Sequence, residues 1–206
     1  MFKKLVIASA VLAASSGIAF AGHSYKGDRD YKGEMSVPSC PTCATYSFMS
    51  GPYVGLSAAV RNNYSGAPAI YKGIEGRLSL GYAGVLTPGF YLAGELFGGD
   101  SFQVKNYRNA DGAGARSTWT WGGSIIPGIM LTDYVMAFAR VGGERTRFSN
   151  QSANASAWHV GVGGQTNICP NWDLRGEYTY SSYGSVTALG HPSTDLFSVG
   201  VIYKFM

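Results

Sequence analysis

The chain has 206 residues, with 16 Lys and Arg against 12 Asp and Glu, a near-balance that offers no strongly basic face to nucleic acid. Glycine (29) and tyrosine (14) are abundant, and beyond the N-terminus no apolar run approaches the roughly 18 residues that mark a membrane helix. These observations exclude a helical membrane protein and favour a β-rich chain.

Met1-Phe2-Lys3-Lys4 precedes an apolar stretch from Leu5 to Phe20 that ends in Ala19-Phe20-Ala21. A basic start, an apolar centre and a small-x-small site predict a signal peptide over residues 1–21, cut after Ala21. Residues 22–50 read as a polar N-terminal leader without a strand pattern. It carries Cys40-Pro41-Thr42-Cys43. A redox Cys-x-x-Cys needs a helix start in an alternating βαβ context to lower a thiol pKa, and none surrounds it. A Cys40–Cys43 disulfide in an oxidising compartment is the expectation, with a bridge from the leader to Cys169 as the alternative.

From Gly51 onward apolar residues take every second place in short segments separated by Gly, Pro, Asn, Asp and Ser clusters, which predicts strands. In chain order, Val54, Leu56, Ala58 and Val60 oppose Gly55, Ser57 and Arg61, and Ile74, Leu78, Leu80 and Tyr82 oppose Glu75, Arg77 and Ser79. Phe90, Leu92 and Leu96 oppose Glu95; Trp119, Trp121, Ile125 and Ile129 oppose Thr118, Thr120 and Ser124. Val135, Ala137, Ala139 and Val141 oppose Arg140 and Glu144; Trp158, Val160 and Val162 oppose His159, Gln165 and Asn167. Leu174, Tyr178 and Tyr180 oppose Arg175, Glu177 and Thr179, and the last segment sets Phe197, Val199, Val201, Tyr203 and Phe205 against Ser198, Gly200 and Lys204.

That makes eight predicted strands in a domain over residues 51–206. Short connections fall at Thr87-Pro88-Gly89, Leu131-Thr132-Asp133 and Cys169-Pro170-Asn171-Trp172, and longer polar ones near 62–71, 107–116, 149–156 and 184–194. Alternating short turns and long loops predict an all-β, eight-stranded antiparallel transmembrane barrel, an up-and-down meander with periplasmic turns and extracellular loops.

A soluble ligand-binding barrel is the competitor, with its apolar face turned inward. Aromatics at the strand ends argue for lipid. Tyr71, Trp119, Trp158, Tyr183 and Phe197 are predicted to form an extracellular girdle, and Tyr53, Tyr82, Phe90, Tyr134, Trp172, Tyr203 and Phe205 a periplasmic one. Small residues alternating with charges suit a filled lumen in which Glu75, Glu95, Glu144 and Glu177 meet Arg61, Arg77, Arg140, Arg175 and Lys204.

The chain resembles the small OmpA/OmpX-like, opacity-protein-like outer membrane barrels. The resemblance rests on the C-terminal Tyr203-Lys204-Phe205, with apolar places two apart before it, and on Asn171-Trp172-Asp173-Leu174-Arg175-Gly176-Glu177-Tyr178-Thr179-Tyr180. It implies an outer membrane location and makes Tyr203 and Phe205 the signal to the barrel assembly machinery, displaced by one residue because Met206 follows.

Arg61, Lys72, Lys105, Arg108, Arg116, Arg145 and Arg147 fall at the predicted extracellular rim or loops, where Arg and Lys are natural partners for lipopolysaccharide phosphates. The long loops are also the expected contacts for any host or surface ligand. His23, His159 and His191 lack metal-site spacing, so neither metal nor cofactor is expected. His191, Ser193 and Asp195 do not make a complete catalytic set, and no enzyme is expected. The resulting expectation is an envelope-supporting surface barrel with a filled lumen; a small pore is the alternative, and a lipid-modifying barrel enzyme a more distant one.

Overall fold

The computed structural model describes residues 48–64, 71–102, 107–108, 114–115, 117–148, 154–185 and 190–205. The predicted signal peptide, most of the predicted leader with Cys40 and Cys43, and parts of the long loops lie outside them. The strands are β1 (Gly51–Tyr64), β2 (Tyr71–Thr87), β3 (Phe90–Phe102), β4 (Tyr107–Arg108), β5 (Gly114–Ala115), β6 (Ser117–Met130), β7 (Val135–Phe148), β8 (Asn154–Cys169), β9 (Trp172–Tyr183) and β10 (Ser193–Lys204).

All but β4 and β5 form one closed antiparallel barrel in meander order, with β1 paired to both β2 and β10. Its strands are 12 to 17 residues long, more than the roughly 9–11 that a tilted strand needs to span the hydrocarbon core. Closure runs from Tyr53↔Lys204 to Tyr64↔Ser193, so no barrel edge is left unpaired in the bilayer, where water cannot satisfy it. The 107–116 loop contains a feature the sequence pattern did not indicate, a two-rung ribbon pairing Tyr107 with Ala115 and Arg108 with Gly114.

The short turns lie where the Pro and Gly signals put them. Gly89 has φ +91° directly after Pro88, the combination a type II turn requires. Alternation then sorts every strand. Leu80 (58% exposed), Leu96 (70%), Val141 (54%) and Val199 (62%) face outward, while Glu75 (0%), Arg61 (1%) and Arg140 (3%) face inward. An outer wall this apolar is stable only against acyl chains, and the soluble-barrel reading falls with it.

The inner and outer sets agree with the predicted phase, with three corrections. Tyr53 and Tyr183, predicted in the girdles, are each 3% exposed and point into the lumen. Each shares the parity of its strand's polar set, Tyr53 with Arg61 and Tyr183 with Arg175, so alternation outranks the preference of an aromatic for the interface. Thr118 leaves the inner face because a register shift between Ser117 and Thr120 interrupts β6; its hydroxyl donates to the Arg147 carbonyl instead (3.1 Å).

Candidate functional site

The polar interior is the first candidate. Inward positions on β3, β7, β8 and β9 bring Glu95, Arg140, Gln165 and Arg175 into one layer. Glu95 Oε1 accepts from Arg140 Nη2 (2.8 Å), and Oε2 accepts from Arg175 Nη1 (2.7 Å) and the Tyr53 hydroxyl (2.9 Å). The Tyr53 ring lies over Gly81, where a Cβ would collide with it; an absent side chain on β2 is what lets this tyrosine reach Glu95. Arg140 also donates to Ser124 Oγ (3.0 Å) and pairs through Nε with Glu177 (2.9 Å). Arg175 uses Nε and Nη2 on Gln165 Oε1 (3.0 and 2.9 Å).

A second layer lies toward the extracellular end. Arg61 pairs with Glu75 (3.2 Å) and Glu144 (3.7 Å) and donates to the Tyr183 hydroxyl (2.9 Å), which in turn donates to Glu144 (2.7 Å). Arg77 donates twice to Glu75 Oε1 and stacks on Phe97, 4.4 Å from the ring centroid. His159 joins the layers, with Nε2 2.9 Å from Ser124 Oγ and Nδ1 3.9 Å from Glu144. Carboxylates and guanidiniums thus neutralise each other away from water, the arrangement that makes buried charge tolerable.

The predicted charge set therefore assembles, except that Lys204 does not meet a glutamate. It pairs with Asp173 (2.9 Å), which also accepts from Gln165 (2.6 Å) and Asn167 (2.9 Å). Asp173 was legible by parity, two residues before Arg175. Sequence reasoning missed Tyr53, Tyr183 and Asp173 as members of the network.

The outer rim is the second candidate. Arg145 and Arg147 are exposed and outward on β7, and the Arg145 guanidinium lies 5.8 Å from the Trp121 ring centroid. Trp121 pairs with Arg145 across β6 and β7, and exposed Trp158 lies on β8 two residues from Ser156, the partner of Arg145. Arg61, counted at the rim as well as in the lumen, belongs to the lumen alone. Lys72 and Arg108 are described only through their backbone, and Lys105 and Arg116 lie outside the described residues. Among the described residues Cys169 is a free, exposed cysteine at the end of β8; Cys40 and Cys43 lie outside them. Trp172, Tyr203 and Phe205 form a contiguous aromatic group at the periplasmic end, with centroids 5.0 and 5.1 Å apart.

A closed barrel with a lipid-facing wall and an ion-paired lumen defines a transmembrane β-barrel of the outer membrane. Residues 35–205 match the model of the outer membrane protein beta-barrel domain, and the chain belongs to that family and resides in the cell outer membrane. Among solved structures it is similar to Neisserial surface protein A, at 23% identity over 76% of this chain and 98% of that one with a TM-score of 0.56. It is also similar to Ail of Yersinia pestis, at 14% identity over 77% of this chain and 100% of that one with a TM-score of 0.52. At these identities the likeness establishes the fold alone. No curated protein sequence matches the chain.

Proposed function

We propose that this protein is a closed envelope barrel that reinforces the outer membrane and acts through its outer wall and extracellular loops, without conducting solute. The lumen network carries the reading. A water path would have to part the Arg140–Glu95–Arg175 layer, made of buried charge-assisted hydrogen bonds, and then the buried ion pairs of the Glu75–Arg61–Glu144 layer. Purified protein in planar bilayers is expected to give no stable unitary conductance; reproducible unitary steps would restore the porin-like alternative.

Catalysis has no part in this reading. Ser124, His159 and Glu144 follow the order of a nucleophile, base and carboxylate, but the His159–Glu144 separation of 3.9 Å is too long for a hydrogen bond. Ser124 Oγ is also held by Arg140, and His159 is fully buried, out of reach of a lipid ester.

A second role is supported by the outward arginines. Arg145 and Arg147, two residues apart on the extracellular half of β7 and beside exposed Trp121, are suited to hold lipopolysaccharide phosphates at headgroup level. The Arg145→Gln, Arg147→Gln variant is expected to retain less lipopolysaccharide per barrel after detergent extraction; unchanged retention would remove this role. Ail has been solved with the heparin analogue sucrose octasulfate, and the loops at 62–71, 107–116, 149–156 and 184–194 are the proposed contacts for a surface ligand of this chain. Tyr203 and Phe205 are the proposed signal to the assembly machinery.

A further inference from the structure

The two ends of the lumen differ in kind. At the extracellular end Asn63 Nδ2, Ser101 Oγ and Ser117 Oγ have no hydrogen-bond partner among the described residues, although the residues are only 1%, 4% and 1% exposed. Buried polar groups of this sort call for internal water, and none of the three lies at the periplasmic end. The periplasmic end is largely apolar, with Ala83, Tyr91, Ile126, Met136, Phe138 and Ile202 in one buried cluster.

The ring that completes the cluster comes from outside the strands. Phe48, three residues before β1, is 3% exposed and meets Tyr91 edge-on, with centroids 6.4 Å apart. Lys204 Nζ, already paired with Asp173, lies 5.7 Å from the same ring. The strap is pinned by Ser50, whose hydroxyl accepts from the Val85 backbone N–H (2.9 Å). Between Phe48, Asp173, Gln165 and Lys204 the remaining space is about 10 Å³, the lower limit for a single water.

We propose that Phe48 is a stopper: the strap before β1 folds across the periplasmic mouth and seats this ring, making the lumen a blind vestibule that is wet from outside and dry toward the periplasm. The inference rests on the closed-lumen reading and adds a periplasmic seal to it. An apolar constriction holds back water because wetting it is unfavourable. Lifting one ring therefore floods the layer beneath, which holds the Asp173–Lys204 pair and the Met136 and Ile202 side chains.

The test uses the full chain with Cys40, Cys43 and Cys169 replaced by Ser and with Met136→Cys as a reporter, in the folded, heat-modifiable state. Labelling by a small charged methanethiosulfonate is expected to be slow while Phe48 is present. It should become faster by about tenfold or more in Phe48→Ala, because reaction no longer waits on local opening of the mouth. Phe48→Leu, which keeps an apolar plug, is expected to stay slow. Fast labelling with Phe48 in place overturns the stopper without any need for the Ala variant, and equal rates for Phe48 and Phe48→Ala overturn it as well. Phe48→Ala is expected to remain silent in planar bilayers, since the charged layers above are untouched. Conductance by the unaltered protein would sink the closed-lumen reading, whereas a labelling rate indifferent to Phe48 would sink the stopper alone.

Discussion

Replacing Glu95 by Ala should lower the unfolding free energy of the folded barrel by about 3–5 kcal/mol, the usual consequence of removing one member of a buried charge pair. Glu95 is 4% exposed and is the common acceptor for Arg140, Arg175 and Tyr53. Without it Arg175 keeps only the neutral Gln165 oxygen, and Arg140 keeps Ser124 and Glu177. The penalty arises less from attraction lost than from guanidinium charge left with too few acceptors away from water. Urea titration in detergent micelles or bilayers, read by gel migration without boiling, measures it. Glu95→Gln, which keeps an acceptor but no charge, should fall between the parent and Glu95→Ala. A loss below about 1 kcal/mol, the scale of an exposed pair, would show that water reaches this layer and that the lumen is not closed there.

The second large effect lies on the opposite face. Val199, 62% exposed near the middle of β10, should tolerate Arg only at a cost of about 2–4 kcal/mol, because the guanidinium would sit at the bilayer midplane. Ser193 begins the same strand and shares the outward parity of Val199, but it lies at the extracellular end. Ser193→Arg should therefore cost no more than about 1 kcal/mol, as expected near the interface. The pair of variants reads depth as well as orientation: equal costs at both positions would mean that β10 does not cross the hydrocarbon core as described. Gly200 is a poor inward control, since a Cβ there would press on Ser57 and on the Leu56 carbonyl, 2.6 Å away. Ser198 is the better inward position.

In the proposed reading the closed lumen and the arginine-bearing wall divide the work of this barrel. The interior gives rigidity, because its bonds connect strands far apart in the chain: Arg61 on β1 reaches Tyr183 on β9, and Glu95 on β3 reaches Arg175. Such links tie non-neighbouring strands together across the lumen, in addition to the backbone ladder that joins each strand to its neighbours. The exterior is left to meet lipid, and Arg145, Arg147, Trp119, Trp121 and Trp158 lie toward its extracellular end, where headgroups are found.

Much of this was determined by the sequence alone. A period of two with one greasy and one charged set specifies strands, their phase and, from the alternating connection lengths, the meander. Even Tyr53 and Tyr183 obey that period, because strand parity outweighs the preference of an aromatic near a strand end for the interface. The sign of the barrel was different. Alternation is the same whether the apolar face turns in or out, and closure had to be seen before the outward placement of Leu80 and Val199 excluded a soluble barrel. Partner choice also belonged to the tertiary structure, because which arginine meets which carboxylate depends on strand tilt and stagger around the barrel, quantities with no local signature. Lys204 on Asp173 and Phe48 in the periplasmic mouth are of this kind: their neighbours come together only when the first strand closes on the last.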